Sequence, residues 1–370
     1  MNLNTLEQSE RILFSLRSLY DKYGYSRYKM NKFEEYDLYA KNKDFLISDE
    51  VITFTDKGGK LMALKPDVTL SIVKNTKDNP ETIQKLYYTE NVYRVNKGSH
   101  SFKEIMQIGL EAMGSIDDYC IYEVLKLAAE SLVATNKNCI LEFSHLDILS
   151  ELITYLEISN DIKPKVMQLI SEKNTHELTS ICRENGVNEE KCNLIKNIVL
   201  LYGTIDEVLP KINLLLKNAV SETTLETFNK IATALNSTEQ KDMFRIDFSI
   251  ISDSRYYNGF VFRGFAEGIP SSILSGGQYN SMMQKMKRKS AAIGFAVYLD
   301  MLRQYETSTS EYDVDNLLIY DNTTTICKLE KQINALILKG ESVVAQPNKP
   351  QELKYKNLII LKNGEVVTNE

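Results

Sequence analysis

Residues 85–114, KLYYTENVYRVNKGSHSFKEIMQIGLEAMG, decide how the chain is read. Two apolar-rich runs, 86–95 and 105–113, flank a polar turn with Asn96, Gly98, Ser99 and Ser101. The pattern predicts strand, loop, strand. Polar residues sit inside the runs: Glu90, Arg94, Gln107 and Glu111. Side chains alternate along a strand, so Gln107, Gly109 and Glu111 share one face. Two acceptor-bearing side chains astride a glycine suit the floor of a site for a small polar ligand. The same alternation also describes an antiparallel sheet with one face in water, and spacing alone leaves both readings open.

Working outward, the 370 residues are enough for two or three domains. Hydrophobic content of 43% and charged content of 25% are ordinary for a globular chain with a sizeable core. No apolar run approaches the ~18 residues of a membrane helix. The N-terminus has no basic region followed by an apolar block, so a cytoplasmic protein without a secretory signal is expected. The five cysteines, Cys120, Cys139, Cys182, Cys192 and Cys327, form no C-x-x-C pair, so no disulfide framework or zinc site is indicated. His100, His145 and His176 are too scattered for a metal site or a catalytic dyad. A net charge of −6 gives no support to nucleic-acid binding.

Residues 5–23 have helical apolar spacing, with Thr5 and Gln8 as a capping box and Gly24 as the stop. Residues 51–65 predict a hairpin turning on Asp56-Lys57-Gly58-Gly59. Pro66 and Asp67 then break the strand. Asp67 and Thr69 are suitable acceptors for an ammonium group, and are equally the residue types that cap a helix. Asp117 or Asp118 caps the next helix, and 139–143 is a short strand. Residues 146–240 carry helical periodicity and predict an all-helical insertion with solvated Glu- and Lys-rich faces. Residues 244–251 predict a strand, and 252–265, with the pair Tyr256-Tyr257, a turn and another strand. Tyrosine pairs of this kind commonly sit in half-buried strands. Gly276-Gly277 either makes a turn or lets backbone approach a ligand. Residues 291–302 predict a strand feeding a helix, and a small α/β unit follows from Glu311.

The arrangement of Arg94 at the end of one strand and Gln107-Ile108-Gly109-Leu110-Glu111 at the start of the next resembles motif 2 of class II aminoacyl-tRNA synthetases. It is most similar to two related families: histidyl-tRNA synthetase, and the non-catalytic regulatory subunit of ATP phosphoribosyltransferase. Other segments carry the resemblance. Residues 23–39 loosely resemble motif 1, with Glu34 at its glutamate and Asn31 where it has proline. LKPDVT at 64–69 resembles the synthetase L-R-P-E-G-T, Tyr256-Tyr257 the R-G-L-D-Y-Y segment, 275–283 the G-G-R-Y segment, and 291–302 motif 3.

The resemblance implies an α+β fold: a class II synthetase-like core over 1–310, with an antiparallel sheet flanked by helices and the 146–240 insertion, then a small C-terminal α/β domain over 311–370. It implies histidine binding by Asp67, Thr69, Gln107, Glu111 and Tyr257, with Arg94, Tyr256 and Arg255 as further pocket residues. In the synthetase the second tyrosine and the glutamate grip the imidazole, and the residues matching Asp67 and Thr69 hold the amine.

The nucleotide clamps of the synthetase do not carry over. The motif 3 arginine matches Met301, and the motif 2 glutamate Asn96. The adenine-stacking aromatic matches Ile105, the arginine before the tyrosine pair Ser252, and the motif 2 loop arginine Ser101. Losing one preorganised donor of this kind reduces a rate by about 10²–10³. The C-terminal unit is short for an anticodon-binding domain and has no basic run. The expectation is therefore a regulatory subunit of ATP phosphoribosyltransferase with no catalytic residues, cofactor or metal of its own. Such a protein works with a short-form catalytic subunit in the first step of histidine biosynthesis and relays feedback inhibition by L-histidine. The resemblance also implies a homodimer within a hetero-oligomer, with neither tRNA nor membrane as partner. The alternatives are an active histidyl-tRNA synthetase and a synthetase paralogue with another binding role.

Overall fold

A computed structural model describes residues 6–43, 51–95, 101–135, 138–251, 256–304 and 311–369. The chain divides into two compact units, Met1–Tyr305 and Glu306–Glu370.

The first unit begins with helix α1 (Gln8–Lys22). The expected cap, Thr5, lies outside the described residues. Glu7 is the N-cap, in a reciprocal box with Glu10. The chain leaves the helix through Gly24 at φ +79°. Strands β1 (Ser26–Arg27) and β2 (Phe33–Glu35), helix α2 (Tyr36–Ala40), and strands β3 (Thr53–Thr55) and β4 (Leu61–Leu64) follow. The expected hairpin forms between β3 and β4, because Asp56 accepts the amides of Gly58 and Lys60 and closes the turn. Together β2, β4 and β3 make a small three-stranded sheet.

Helix α3 (Thr69–Asn75) leads into the long strands β5 (Gln84–Val95) and β6 (Phe102–Gly114), an antiparallel pair as the opening stretch predicts. Helix α4 (Asp118–Val133) starts at Asp117, whose carboxylate accepts the Cys120 amide. Strand β7 (Cys139–His145) precedes six helices: α5 (Leu146–Tyr155), α6 (Lys163–Ser171), α7 (Thr175–Glu184), α8 (Glu189–Leu200), α9 (Ile205–Leu216) and α10 (Glu222–Asn236). This segment is not purely helical. A two-residue strand, β8 (Tyr202–Gly203), pairs with β9 (Phe244–Asp247) and ends the main sheet. The remaining elements are β10 (Asn258–Ala266), β11 (Leu274–Gln278), α11 (Asn280–Lys285), β12 (Ala291–Tyr298) and α12 (Leu299–Gln304).

The main sheet has nine strands in the order β1-β5-β6-β12-β11-β10-β7-β9-β8. Its two faces are covered differently. Ile108, Leu110 and Ala112 of β6 join α1 and α4 in the larger apolar core, through Leu16, Tyr20, Val124, Leu125 and Ala128. Leu86, Tyr88 and Met113 face the other way, into a second core with Leu70, Ile72 and Val73 of α3 and Met282 and Met283 of α11. Burying apolar side chains on both faces stabilises the central strands from two sides. It also means that any polar group there must find a partner.

The second unit holds a four-stranded sheet, β14 (Val343–Gln346), β13 (Val314–Tyr320), β15 (Tyr355–Lys362) and β16 (Glu365–Asn369), with helix α13 (Ile326–Leu338). The first three strands are parallel and β16 is antiparallel. Leu318, Ile359 and Leu361 form its core. The unit is α/β as its sequence predicts, with β16 added.

Candidate functional site: a carboxylate- and tyrosine-lined cavity

Register builds the site. Gln107, Gly109 and Glu111 of β6 oppose Glu90, Tyr88 and Leu86 of β5 on one side, and Tyr298, Ala296 and Gly294 of β12 on the other. Cross-strand partners share a face. The row continues from Gly294 to Gly277 and from Ala296 to Ser275 on β11, then to Val261 and Arg263 on β10. Of these, Tyr88, Gln107, Glu111, Gly294, Ala296 and Ser275 are among the residues that line a cavity of about 400 Å³, a size that suits a small ligand.

Two glycines keep the floor open. A Cβ on Gly109 would lie 2.2 Å from the Phe295 carbonyl oxygen and 2.6 Å from the Tyr88 hydroxyl. One on Gly294 would lie 1.8 Å from Glu111 Oε2. Gly276-Gly277 makes no turn; both residues sit inside β11, with the Tyr257 ring over Gly277.

Asp67, Thr69, Gln107, Glu111, Tyr257, Arg94 and Tyr256 all line this one cavity. Gln107 is 4% exposed and Glu111 2%, so the reading of this strand face as water-exposed fails. Glu111 is the hub. Its Oε1 accepts the Thr69 hydroxyl and its Oε2 the Tyr279 hydroxyl, each at 2.7 Å. Burial pushes its carboxyl up to about 8, against the lowering effect of those two hydroxyls, and nearby Asp67 adds to the rise. Burial also raises Asp67, opposed by the Leu70 amide and the Arg94 charge. Asp67 serves both sequence readings at once: its Oδ1 accepts the Leu70 amide of α3 at 2.9 Å while the residue lines the cavity. Arg94 is anchored by its Nε, which donates to the Pro66 carbonyl at 3.3 Å. Burial raises the phenols of Tyr88, Tyr256, Tyr257 and Tyr279 far above their ordinary value, so all four are neutral donors.

Arg255 and Ser252 lie outside the described residues, as does Asn96. The sequence reading missed Tyr88, Tyr279, Arg263, Ser275 and Tyr298. Tyr88 was within reach of it, because pairing the two long strands in register sets Tyr88 opposite Gly109. Tyr279 follows the glycine pair directly, yet only the fold carries it to Glu111. Chemically, the cavity holds two buried carboxyls whose ionised forms are unfavourable. A cationic ligand, an ammonium or an imidazolium, would stabilise both.

Elsewhere, Glu34 accepts Ser71 Oγ at 2.8 Å and Lys74 Nζ at 2.9 Å, tying the small sheet to α3. Met301 packs against the larger core, with the Ser271 hydroxyl 3.6 Å from its sulfur. Among the described residues no helix is long and apolar enough to cross a membrane.

A family profile described as histidyl-tRNA synthetase matches residues 1–302. An ATP phosphoribosyltransferase regulatory subunit of Clostridium kluyveri is 28% identical over 88% of this chain and 85% of its own length. A histidine–tRNA ligase of Methanocaldococcus jannaschii is 27% identical over 85% of this chain and 74% of its own. Among solved structures, an ATP phosphoribosyltransferase regulatory subunit/histidyl-tRNA synthetase of Bacillus halodurans superposes with TM-score 0.78 at 19% identity, over 96% of this chain and 94% of that one. A chain of the ATP phosphoribosyl transferase (HisG:HisZ) complex of Thermotoga maritima gives TM-score 0.62 at 20% identity, over 79% and 97%. The fold is the α+β class II synthetase-like architecture, and the chain belongs to the histidyl-tRNA synthetase family.

Proposed function

We propose that this chain is the non-catalytic regulatory subunit of an ATP phosphoribosyltransferase and that its cavity binds L-histidine. One observation carries the reading: groups suited to an amine and an imidazole converge around Glu111, while positions that clamp nucleotide in the synthetases carry residues unable to do so. Met301 is the plainest case, since its apolar side chain carries no charge and packs against the larger core. The names of the Clostridium relative and of the Thermotoga complex support a partnership with a phosphoribosyltransferase.

In this reading Asp67, Thr69 and Gln107 face the ligand's ammonium, and Glu111 and Tyr257 face its imidazole. Arg94 and Tyr256 complete the wall. Thr69 now donates to Glu111, so ligand binding redirects that hydroxyl. Tyr279 stays on Glu111 and holds the carboxylate in place. Feedback requires histidine to bind the active and inhibited assemblies with different affinity. The chain acts as a homodimer within a hetero-oligomer and takes no tRNA.

The test is phosphoribosyl-ATP formation by the short catalytic subunit of the same organism, with and without this chain. Activation by the chain is expected, with histidine inhibition weakened in Glu111→Ala and Tyr257→Phe. Unchanged sensitivity in both variants would move the effector site elsewhere, to an interface between subunits. Failure to activate would sink the proposal.

A second reading, an active histidyl-tRNA synthetase, is favoured by the match to the Methanocaldococcus ligase. It requires histidine-dependent ATP–pyrophosphate exchange, which the regulatory reading excludes.

A further inference from the structure

Lys65 follows strand β4 and has no exposed side-chain surface. A lysine is almost never buried to that extent unless it is paired. Its partner is Glu90 of β5, 14% exposed, whose Oε2 accepts the Lys65 Nζ at 2.8 Å. The other oxygen of Glu90 accepts the Met30 amide at 3.3 Å. Burial works against the Lys65 charge, and the bond to Glu90 opposes it, helped by the charges of Glu90, Glu34 and Asp67. Neither Lys65 nor Glu90 lines the cavity. Replacing a buried ion pair by apolar side chains of similar volume is often neutral for stability, so stability alone gives no reason for this one.

What the pair fixes is a short segment of chain, Lys65-Pro66-Asp67. Three bonds hold this segment on β5. Lys65 Nζ donates to Glu90, the Tyr93 amide donates to the Lys65 carbonyl at 2.9 Å, and Arg94 Nε donates to the Pro66 carbonyl at 3.3 Å. Of the three, only the Lys65–Glu90 bond joins two side chains. On its other side the Lys65 amide donates to the Lys32 carbonyl at 3.1 Å, next to the start of β2. Glu90 pairs in register with Gln107 of β6, so the anchor stands on the strand beside a cavity residue. Asp67 is the first residue of the segment to reach the cavity, and its Oδ1 accepts the Leu70 amide at 2.9 Å. The carboxyl is thus oriented from α3 on one side and carried from β5 on the other.

We infer that Lys65 and Glu90 are positioning residues: their ion pair fixes the Lys65–Asp67 segment on β5 and so sets the Asp67 carboxyl where the cavity meets the ammonium group of a ligand. The inference rests on the reading that Asp67 faces an ammonium. The pair touches no ligand atom and acts through Asp67 alone.

The experiment is a double-mutant cycle on the full chain, read by calorimetric titration with L-histidine. Lys65→Met/Glu90→Leu removes both charges and strands neither, so a melting temperature close to that of wild type is expected. Its affinity for L-histidine should fall about 10-fold, the low end for a charge-assisted hydrogen bond. In the Asp67→Asn background the same two changes should cost less than about 2-fold, because the group they position is gone and independent effects would add. A role in the scaffold alone would lower affinity equally in both backgrounds. Equal losses therefore overturn the inference, as does wild-type affinity in Lys65→Met/Glu90→Leu. If that protein does not fold, the isosteric Glu90→Gln takes its place in the cycle with the same expectation. The cycle is repeated with histamine, an amine and an imidazole without a carboxylate. Wild type that binds histamine but not L-histidine sinks the histidine reading, and the inference is then decided by the histamine cycle. Binding of neither overturns both.

Discussion

At the scale of single residues, Glu111 carries the consequences that are easiest to measure. Burial puts its folded pKa at about 8, above its ordinary 4.5. Between those values the folded chain holds a proton that the unfolded chain has released. Stability contributed by this group is complete at low pH and is lost as pH rises through the folded value. Asp67 is raised as well and acts in the same direction. Urea midpoints measured from pH 5 to 8.5 should therefore fall with pH in wild type and fall less in Glu111→Gln. Equal slopes in the two proteins would refute the assignment. The same proton reports on binding. A cationic ligand at Glu111 lowers its pKa, so near pH 7 binding releases a proton, and calorimetry in buffers of different ionisation enthalpy detects it.

At the scale of elements, the cavity depends on β6 and β12 meeting with no side chain between Glu111 and β12. Gly294→Ala puts a methyl group where Glu111 Oε2 now sits. Thr69 and Tyr279 hold that carboxylate from two sides, so it has no easy retreat. Overpacking of this kind destabilises by about 1–3 kcal/mol, and ligand affinity should fall with it. A Gly294→Ala protein with wild-type melting temperature and affinity would show that the floor is more pliant than its packing implies. Elements were legible in the sequence where local chemistry dictates them. The strands around residues 85–114 follow from apolar runs and a polar turn, and the 51–65 hairpin from Asp56 and Gly58-Gly59. Legibility failed where a non-local partner decides. The α1 cap is Glu7, in a reciprocal box with Glu10, a residue type that cap preferences do not favour. The strand β8 exists because β9 offers it an edge, and Gly276-Gly277 is strand because β10 and β12 enclose it.

At the scale of the molecule, every residue assigned to the cavity lies in the first compact unit. That unit has its own apolar cores, separate from the cluster of Leu318, Ile359 and Leu361 in the second. A chain ending at residue 305 should keep the ligand affinity of the full chain. A large loss on truncation would mean that the second unit contributes to binding. The sequence by itself determined the family and the alternation that puts Gln107 and Glu111 on one strand face. These are properties of residue type and short-range spacing. Only the tertiary structure decided what surrounds that face. The Tyr279 hydroxyl reaches Glu111 across 168 residues of chain, and Arg263 shares the floor because β11 and β12 fold between β10 and β6. The physical reason is that parity along a strand is a local property, whereas the identity of its neighbours is set by hydrogen bonding and burial over the whole sheet.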